Sequence, residues 1–174
     1  AIRSYRPDLV LTHRTNDYHP DHRAVGLLVQ DAAYLLTVPA ICPDTPHLKR
    51  DPVIGYLSDD FRKPTPFEPT VVVDITTVWD ARIAMLDAHV SQFYEWLPAN
   101  MQRFADIPES PEARRAALDE TMRSLSGALA DRFRSALLAR YGERGRSVEC
   151  VEAFEGCEYG SPLDSTAVAR LFPF

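Results

Sequence analysis

Short apolar runs alternate along the chain with stretches in which apolar residues recur every three or four positions. The short runs predict strands, and the continuous run at 9–12 predicts a strand buried on both faces, as in a parallel sheet. The longer stretches predict helices, because residues three or four apart share one helix face. The pattern therefore predicts strands at 9–12, 53–57, 71–75 and 147–154, and helices at about 20–36, 77–97 and 111–141.

The residues that open the first two helices support these boundaries. Pro20 suits a first helical turn, where the backbone N–H that it lacks would be unpaired. Thr76 or Thr77 is expected to cap the second helix, with Asp80 three residues after Thr77 as in a capping box. Trp79 belongs to the apolar stripe of this helix and Trp96 lies just outside it, and we expect both in the core rather than as platforms for a sugar ring.

The order of elements is strand, helix, strand, strand, helix, helix, strand. This order predicts an α/β, Rossmann-like layered fold whose sheet is mixed but mostly parallel and is flanked by helices. No linker divides the chain, so we expect residues 1–174 to form a single domain. Because the chain enters its first strand within ten residues, we expect the amino-terminal portion of the fold to be absent.

Composition narrows the range of functions. The chain has 19 Lys and Arg against 25 Asp and Glu, a net charge of −6, which disfavours sequence-independent binding of nucleic acid. No apolar run approaches the roughly 18 residues that span a bilayer. The three cysteines are Cys42, Cys150 and Cys157, and they form no CxxC pair. We therefore expect free thiols in a reducing compartment and a cytoplasmic location.

The candidate chemistry lies in the turn after the first predicted strand, where α/β folds commonly bind ligands. Residues 12–22 hold three of the five histidines and two carboxylates. His19 and His22 are three residues apart at a helix start, so both rings can face one cavity. The positive end of the helix dipole disfavours protonated imidazole, and neutral imidazole is the form that binds metals. Asp21 lies between them and can accept the second N–H of one ring.

This pattern leaves a simpler interpretation open. A His-x-x-His pair at a helix start is commonly a capping residue beside a solvated one. A catalytic zinc also needs about three protein ligands and a water, and the rest must come from elsewhere in the fold. His47 lies in a Pro-rich loop and has no supporting pattern, and His89 lies beside the apolar stripe of the second helix rather than in it.

The same residues resemble a known family, the PIG-L/LmbE-like zinc-dependent N-deacetylases. The resemblance covers most of residues 3–97 and returns near 150. The segments that carry it are PDLVLTH at 7–13 and NDYHPDHRA at 16–24 for the second block of the family, VDIT at 73–76 with Trp79, Ala84 and HVSQ at 89–92 for the third block, and EAFE at 152–155 for a late strand.

The resemblance implies a role for each residue of the His-Pro-Asp-His segment. His22 matches a ligand of one zinc ion. His19 matches the imidazole that stabilises the oxyanion, and Asp21 the carboxylate that orients that imidazole. The implied reaction is hydrolysis of an N-acetyl or N-acyl group on an N-acetylglucosamine-type sugar conjugate, which releases acetate and a free amine.

Other residues receive supporting roles. His13 ends the first strand and either borders the cavity or, as we expect, is a hydrogen-bonded histidine behind the metal ligands. Asp17 and Tyr18 either contact substrate hydroxyl groups or only build the turn. His89 and Gln92 share a helix face, and we expect them to support the floor of the active site by hydrogen bonds.

One part of the family pattern has no counterpart in this sequence. The first block of the family, an Ala-His-Pro-Asp-Asp-Glu type of loop, supplies two metal ligands and the general base. We therefore expect the chain to be the carboxyl-terminal part of such a domain, inactive alone, with the missing zinc ligands supplied by an absent segment or another chain. The alternative is a non-catalytic α/β binding or assembly module that has lost its metal site. The expected partner is a small-molecule sugar conjugate, and a homo-oligomer is possible.

Overall fold

A computed structural model describes residues 1–102 and 107–174. Its helices and strands follow in chain order: α1 (Ile2–Tyr5), β1 (Leu9–Thr12), α2 (Pro20–Leu35), β2 (Val53–Leu57), β3 (Val71–Asp74), α3 (Trp79–Asp87), α4 (Leu97–Asn100), α5 (Pro111–Arg132), α6 (Arg134–Tyr141), β4 (Val151–Gly156) and α7 (Ser165–Leu171). Short 3-10 helical turns occupy Thr76–Val78 and Gly142–Arg146, and a π-helical turn occupies Ser91–Trp96. None of the helices described is long and apolar enough to cross a membrane.

The four strands form one sheet in the order β1-β2-β4-β3. β1 pairs in parallel with β2, with Leu9 opposite Val53, whereas β2 pairs antiparallel with β4, with Gly55 opposite Gly156. The α/β prediction is confirmed, but the sheet is mixed and a mostly parallel sheet is not confirmed. The expected burial of β1 on both faces is wrong, because β1 is an edge strand of this sheet and Leu11 is 43% exposed.

The described residues divide into two compact units, one of residues 1–73 and 153–174 and the other of residues 74–152. The expectation of a single domain stays a prediction. In the first unit, α2 lies against the sheet and buries Ala33 beside Ile54 of β2 and Cys157 after β4. The hydroxyl of Tyr56 donates a hydrogen bond of 2.9 Å to Cys157 Sγ, which pairs the polar groups in this core.

Gly26 lets α2 approach the end of β1 closely. A Cβ atom at this position would lie 2.6 Å from the main-chain oxygen of His13, a distance that real side chains do not adopt. The absence of a side chain at Gly26 therefore sets how near the first turns of α2 lie to the segment that follows β1. This segment carries the candidate site.

The second unit is built around Trp79, Ile83 and Cys150. The indole N–H of Trp79 donates to Asp119 Oδ1 on α5 over 2.5 Å. Trp79 is thus in the core as predicted, whereas Trp96 is 57% exposed and that prediction is wrong.

Four predictions for residues 74–152 differ from the structure. The first helix there begins at Trp79 after a 3-10 turn, its N-cap is Val78, and neither Thr76 nor Thr77 caps it. The predicted helix over 77–97 is divided into α3, the π-helical turn and α4. Pro98 accounts for the last division, because proline lacks a backbone donor and is tolerated in the first turn of a new helix.

The other two differences concern the long helix and the last strand. Phe133, with φ −111° and ψ 25°, separates α5 from α6, so the predicted helix over 111–141 is two helices. β4 begins at Val151 rather than at residue 147. Val148 and Cys150, two residues apart in the predicted strand, are buried although they lie outside any strand.

Candidate metal centre

The candidate site occupies the turn that joins β1 to α2 in the first unit. His19 is the N-cap of α2, with extended backbone angles (φ −87°, ψ 133°), and Pro20 follows in the first turn. The ring atom His19 Nδ1 accepts a hydrogen bond of 3.2 Å from the main-chain N–H of Asp21. An accepting nitrogen carries no proton, so this hydrogen bond assigns the ring N–H of His19 to Nε2.

Asp17 lies at the centre of the turn and is only 7% exposed. Its Oδ1 atom accepts a hydrogen bond of 2.9 Å from the main-chain N–H of His19 and lies 2.9 Å from Nδ1 of His22. Its Oδ2 atom lies 3.7 Å from Nδ1 of His13. One buried carboxylate therefore faces the three histidine residues of the turn.

The three imidazole rings lie side by side. The rings of His13 and His22 stack in parallel with centroids 3.7 Å apart, and the ring of His19 is 4.9 Å from that of His22. Burial, followed by the charge of His22, lowers the pKa of His13, while the nearby Asp17 carboxylate opposes that shift. The lowered pKa favours neutral imidazole, the protonation state that a metal requires.

The donor set suits a divalent metal. His13, Asp17 and His22 each offer one ligand atom, and these atoms lie within 4.8 Å of one another. Two imidazoles and a carboxylate are ligands that zinc accepts at bond lengths of about 2.0–2.2 Å. The residue types therefore fit a zinc site, in which the Asp17 carboxylate can serve either as a ligand or as the hydrogen-bond partner of a ligand.

The structure places Asp21 and Tyr18 differently from the histidines. The Asp21 side chain is 90% exposed, and its Oδ2 atom lies 4.0 Å from His19 Nδ1, beyond hydrogen-bond distance. The hydrogen bond to the His19 ring thus comes from the main chain of Asp21, and the orienting role of its carboxylate stays a prediction. Tyr18 is exposed and presents its ring edge-on to His19 and His22.

His89 and Gln92 belong to the second unit, and both side chains are exposed. The main-chain N–H of Gln92 donates to the main-chain oxygen of His89 over 3.0 Å. Their expected role beneath the active site stays a prediction.

Arg14 is a buried residue of this region that the sequence did not single out. It is 5% exposed and lies 3.1 Å from Asp59 Oδ1 and 3.5 Å from Glu155 Oε2. Its Nη2 atom also donates to the main-chain oxygen of Thr65 over 2.6 Å. Burial raises the pKa of the Glu155 carboxyl, and the Arg14 guanidinium acts against that rise. Arg14 thus ties the turn to the loop after β2 and to the end of β4.

The fold is shared with two enzymes of known structure. GalB, the 4-carboxy-2-hydroxymuconate hydratase from Pseudomonas putida KT2440, aligns with 89% of the chain at a TM-score of 0.57 and 18% identity. N,N'-diacetylchitobiose deacetylase from Pyrococcus horikoshii aligns with 95% of the chain at a TM-score of 0.53 and 18% identity.

The alignments cover 54% and 52% of those two proteins, so the chain spans about half their length. No known family model matches the sequence. At this identity the likeness is one of fold, a fold that accommodates both a deacetylase and a hydratase.

Proposed function

We propose that this chain is the carboxyl-terminal part of a metal-dependent amide hydrolase of the PIG-L/LmbE type, which removes an N-acetyl or N-acyl group from an N-acetylglucosamine-type sugar. The observation that carries the proposal is the cluster of His13, Asp17 and His22 at the amino end of α2, with His19 beside it. The fold shared with a diacetylchitobiose deacetylase supports it. The resemblance of residues 16–24 to a family block is the second support.

In this proposal His22 holds the metal, and His13 and Asp17 lie beside it. A bound zinc lowers the pKa of its water to about 7 and polarises the acyl carbonyl. His19 supplies a hydrogen-bond donor, because its Nδ1 accepts from the main chain and its N–H is at Nε2. A donor of this kind, aimed at the developing oxyanion, contributes roughly 3 kcal/mol to the rate of acyl transfer.

The general base and two further ligands implied by the family have no counterpart in the sequence. We therefore expect the 174 residues alone to be inactive and the natural gene product that contains them to be active. The same missing block favours the second candidate, a non-catalytic binding or assembly module. The two candidate functions differ in whether the full-length protein binds zinc and hydrolyses an N-acetyl sugar.

The deciding experiment measures the zinc content of the full-length protein and the acetate that it releases from N-acetylglucosamine and N,N'-diacetylchitobiose. We expect about one zinc per chain, and we expect His22→Ala to abolish both zinc binding and acetate release. His47→Ala is the matched control, because His47 is exposed in a loop and lies outside the cluster. Full zinc content in His22→Ala would reject the role of His22, and a wild-type protein without zinc would favour the non-catalytic module.

A further inference from the structure

We infer that Asp17 is a positioning residue, which fixes the ring of His22 so that Nε2 is the nitrogen presented to the metal. The inference rests on the proposed metal site and adds a role that the sequence did not assign to Asp17. In this role the Asp17 carboxylate accepts a hydrogen bond from a metal ligand and is not itself a ligand.

The first step is the direction of the hydrogen bond at His22. Its Nδ1 atom lies 2.9 Å from Asp17 Oδ1, and an ionised carboxylate can only accept. The proton of the His22 ring is therefore on Nδ1, and Nε2 has a free lone pair. Metal-binding histidines commonly donate their second N–H to a carboxylate in this way, which sets the tautomer and raises the basicity of the ligand.

The second step is the bonding at Asp17 itself. The same oxygen, Oδ1, also accepts the main-chain N–H of His19 at 2.9 Å. Arg23 Nη1 donates to the main-chain oxygens of Asp17 and Tyr18 over 2.8 and 2.9 Å, so the backbone of Asp17 is held as well. With two donors in place, Oδ1 is well suited to orient the ring of His22, and the inference assigns it this role.

The third step is the difference in accessibility. The Asp17 side chain is almost fully buried, whereas about a third of the His22 side chain is exposed. A ligand that arrives from solvent reaches the ring before it reaches the carboxylate. The carboxylate thus acts on the metal through His22.

The test measures the tautomer of His22 and the affinity for zinc in the full-length protein. Long-range proton–nitrogen NMR spectra report which ring nitrogen of His22 carries the proton, with and without Zn2+, and calorimetry gives the Kd of Zn2+. The variants are Asp17→Asn, which keeps an oxygen at the Oδ1 position, and Asp17→Ala, which does not. Asp31→Ala is the control, because Asp31 is an exposed carboxylate of α2.

We expect protonated Nδ1 at His22 in the wild type, both free and loaded with Zn2+. We expect Asp17→Ala to lose this tautomer preference and to raise the Kd of Zn2+ about 10–100-fold. Asp17→Asn should keep the tautomer and raise the Kd by less than about tenfold. Asp31→Ala should change neither.

Three results would overturn the inference. They are a proton on Nε2 of His22 in the wild type, an equal loss of Zn2+ affinity in Asp17→Asn and Asp17→Ala, and a wild-type protein that binds no Zn2+. The second would identify Asp17 as a direct ligand, and the third would reject the proposed metal site as well. Zinc binding with the expected tautomers but without deacetylation would reject the proposed reaction alone and leave the role of Asp17 standing.

Discussion

The imidazole ring of His13 lies flat on that of His22, with their planes 2° apart and their centroids 3.7 Å apart. Two protonated rings at this distance would repel each other, so the arrangement is stable only when at least one of them is neutral. The stack joins His13, which follows β1 directly, to the first turn of α2. Protonation of the site is thereby coupled to the packing of the first unit.

This coupling predicts a loss of stability in acid for the metal-free protein. The pKa of His13 is lowered from its ordinary value of 6.5, so below that pH the unfolded chain binds more protons than the folded chain. The contribution of His13 to stability therefore rises with pH in this range, is fully present above 6.5, and is lost as the pH falls towards the lowered pKa.

Urea unfolding in the presence of a chelator at several pH values around 6.5 measures this loss. We expect His13→Gln to reduce the dependence on pH and His47→Gln to leave it unchanged. An equal dependence in the wild type and His13→Gln would show that His13 is not responsible.

A second prediction concerns Gly26, where α2 contacts the segment that carries the site. Gly26→Ala places a methyl group against the main-chain oxygen of His13, and overpacking of this kind costs about 1–3 kcal/mol. Gly127→Ala is the matched control, because nothing lies within 4 Å of a Cβ atom at this position of α5. The control should instead stabilise the protein by about 0.5–1 kcal/mol.

The free energies of unfolding of both variants decide this prediction. Gly26→Ala should also shift the NMR signals of the His13 and His22 rings, since it moves the segment that carries His13. Equal stabilisation by both substitutions would mean that α2 has more space beside β1 than the structure provides.

A third prediction concerns Arg3, which is buried against the end of α2. Its guanidinium donates to the main-chain oxygens of Leu36 and Val38, over 3.0 and 2.7 Å, and also to that of Ile41. These carbonyls lie at or beyond the end of a helix, where backbone acceptors lack helical partners. Lysine cannot reach several acceptors at once, so Arg3→Lys should cost about 1–3 kcal/mol.

Thermal and urea unfolding check the Arg3 prediction. Arg6→Lys, at an exposed position nearby, should change the stability by less than about 0.5 kcal/mol. If the two substitutions had the same effect, the carbonyl contacts of Arg3 would contribute no net stability.

The fourth prediction separates metal binding from turnover. His19→Ser keeps a good N-cap for α2 but removes the ring that the proposed function uses as an oxyanion donor. We expect the zinc content to be retained and kcat to fall about 10²–10³-fold. Unchanged turnover on an N-acetyl sugar, measured at full zinc content, would remove His19 from the proposed mechanism.

Local pattern was sufficient for the elements that position the site. β1, β2 and α2 lie where the sequence predicted them, to within one residue, since their apolar spacing and the proline in the first turn of α2 act within a few residues. Prediction was poorer in the second unit, where Val148 and Cys150 are buried without forming a strand. Apolar residues at alternate positions can thus be buried without belonging to a strand.

The histidine cluster was visible in the sequence because its members are neighbours along the chain, so one turn brings them together. Only the tertiary structure decided which carboxylate serves them. Asp17 faces inwards because the turn directs it towards the main-chain N–H of His19 and the ring of His22, while Asp21 points into solvent. The partners of Arg14 were equally hidden, because Asp59, Thr65 and Glu155 are 45, 51 and 141 residues away along the chain. Only folding brings such distant groups within reach of hydrogen bonds and ion pairs.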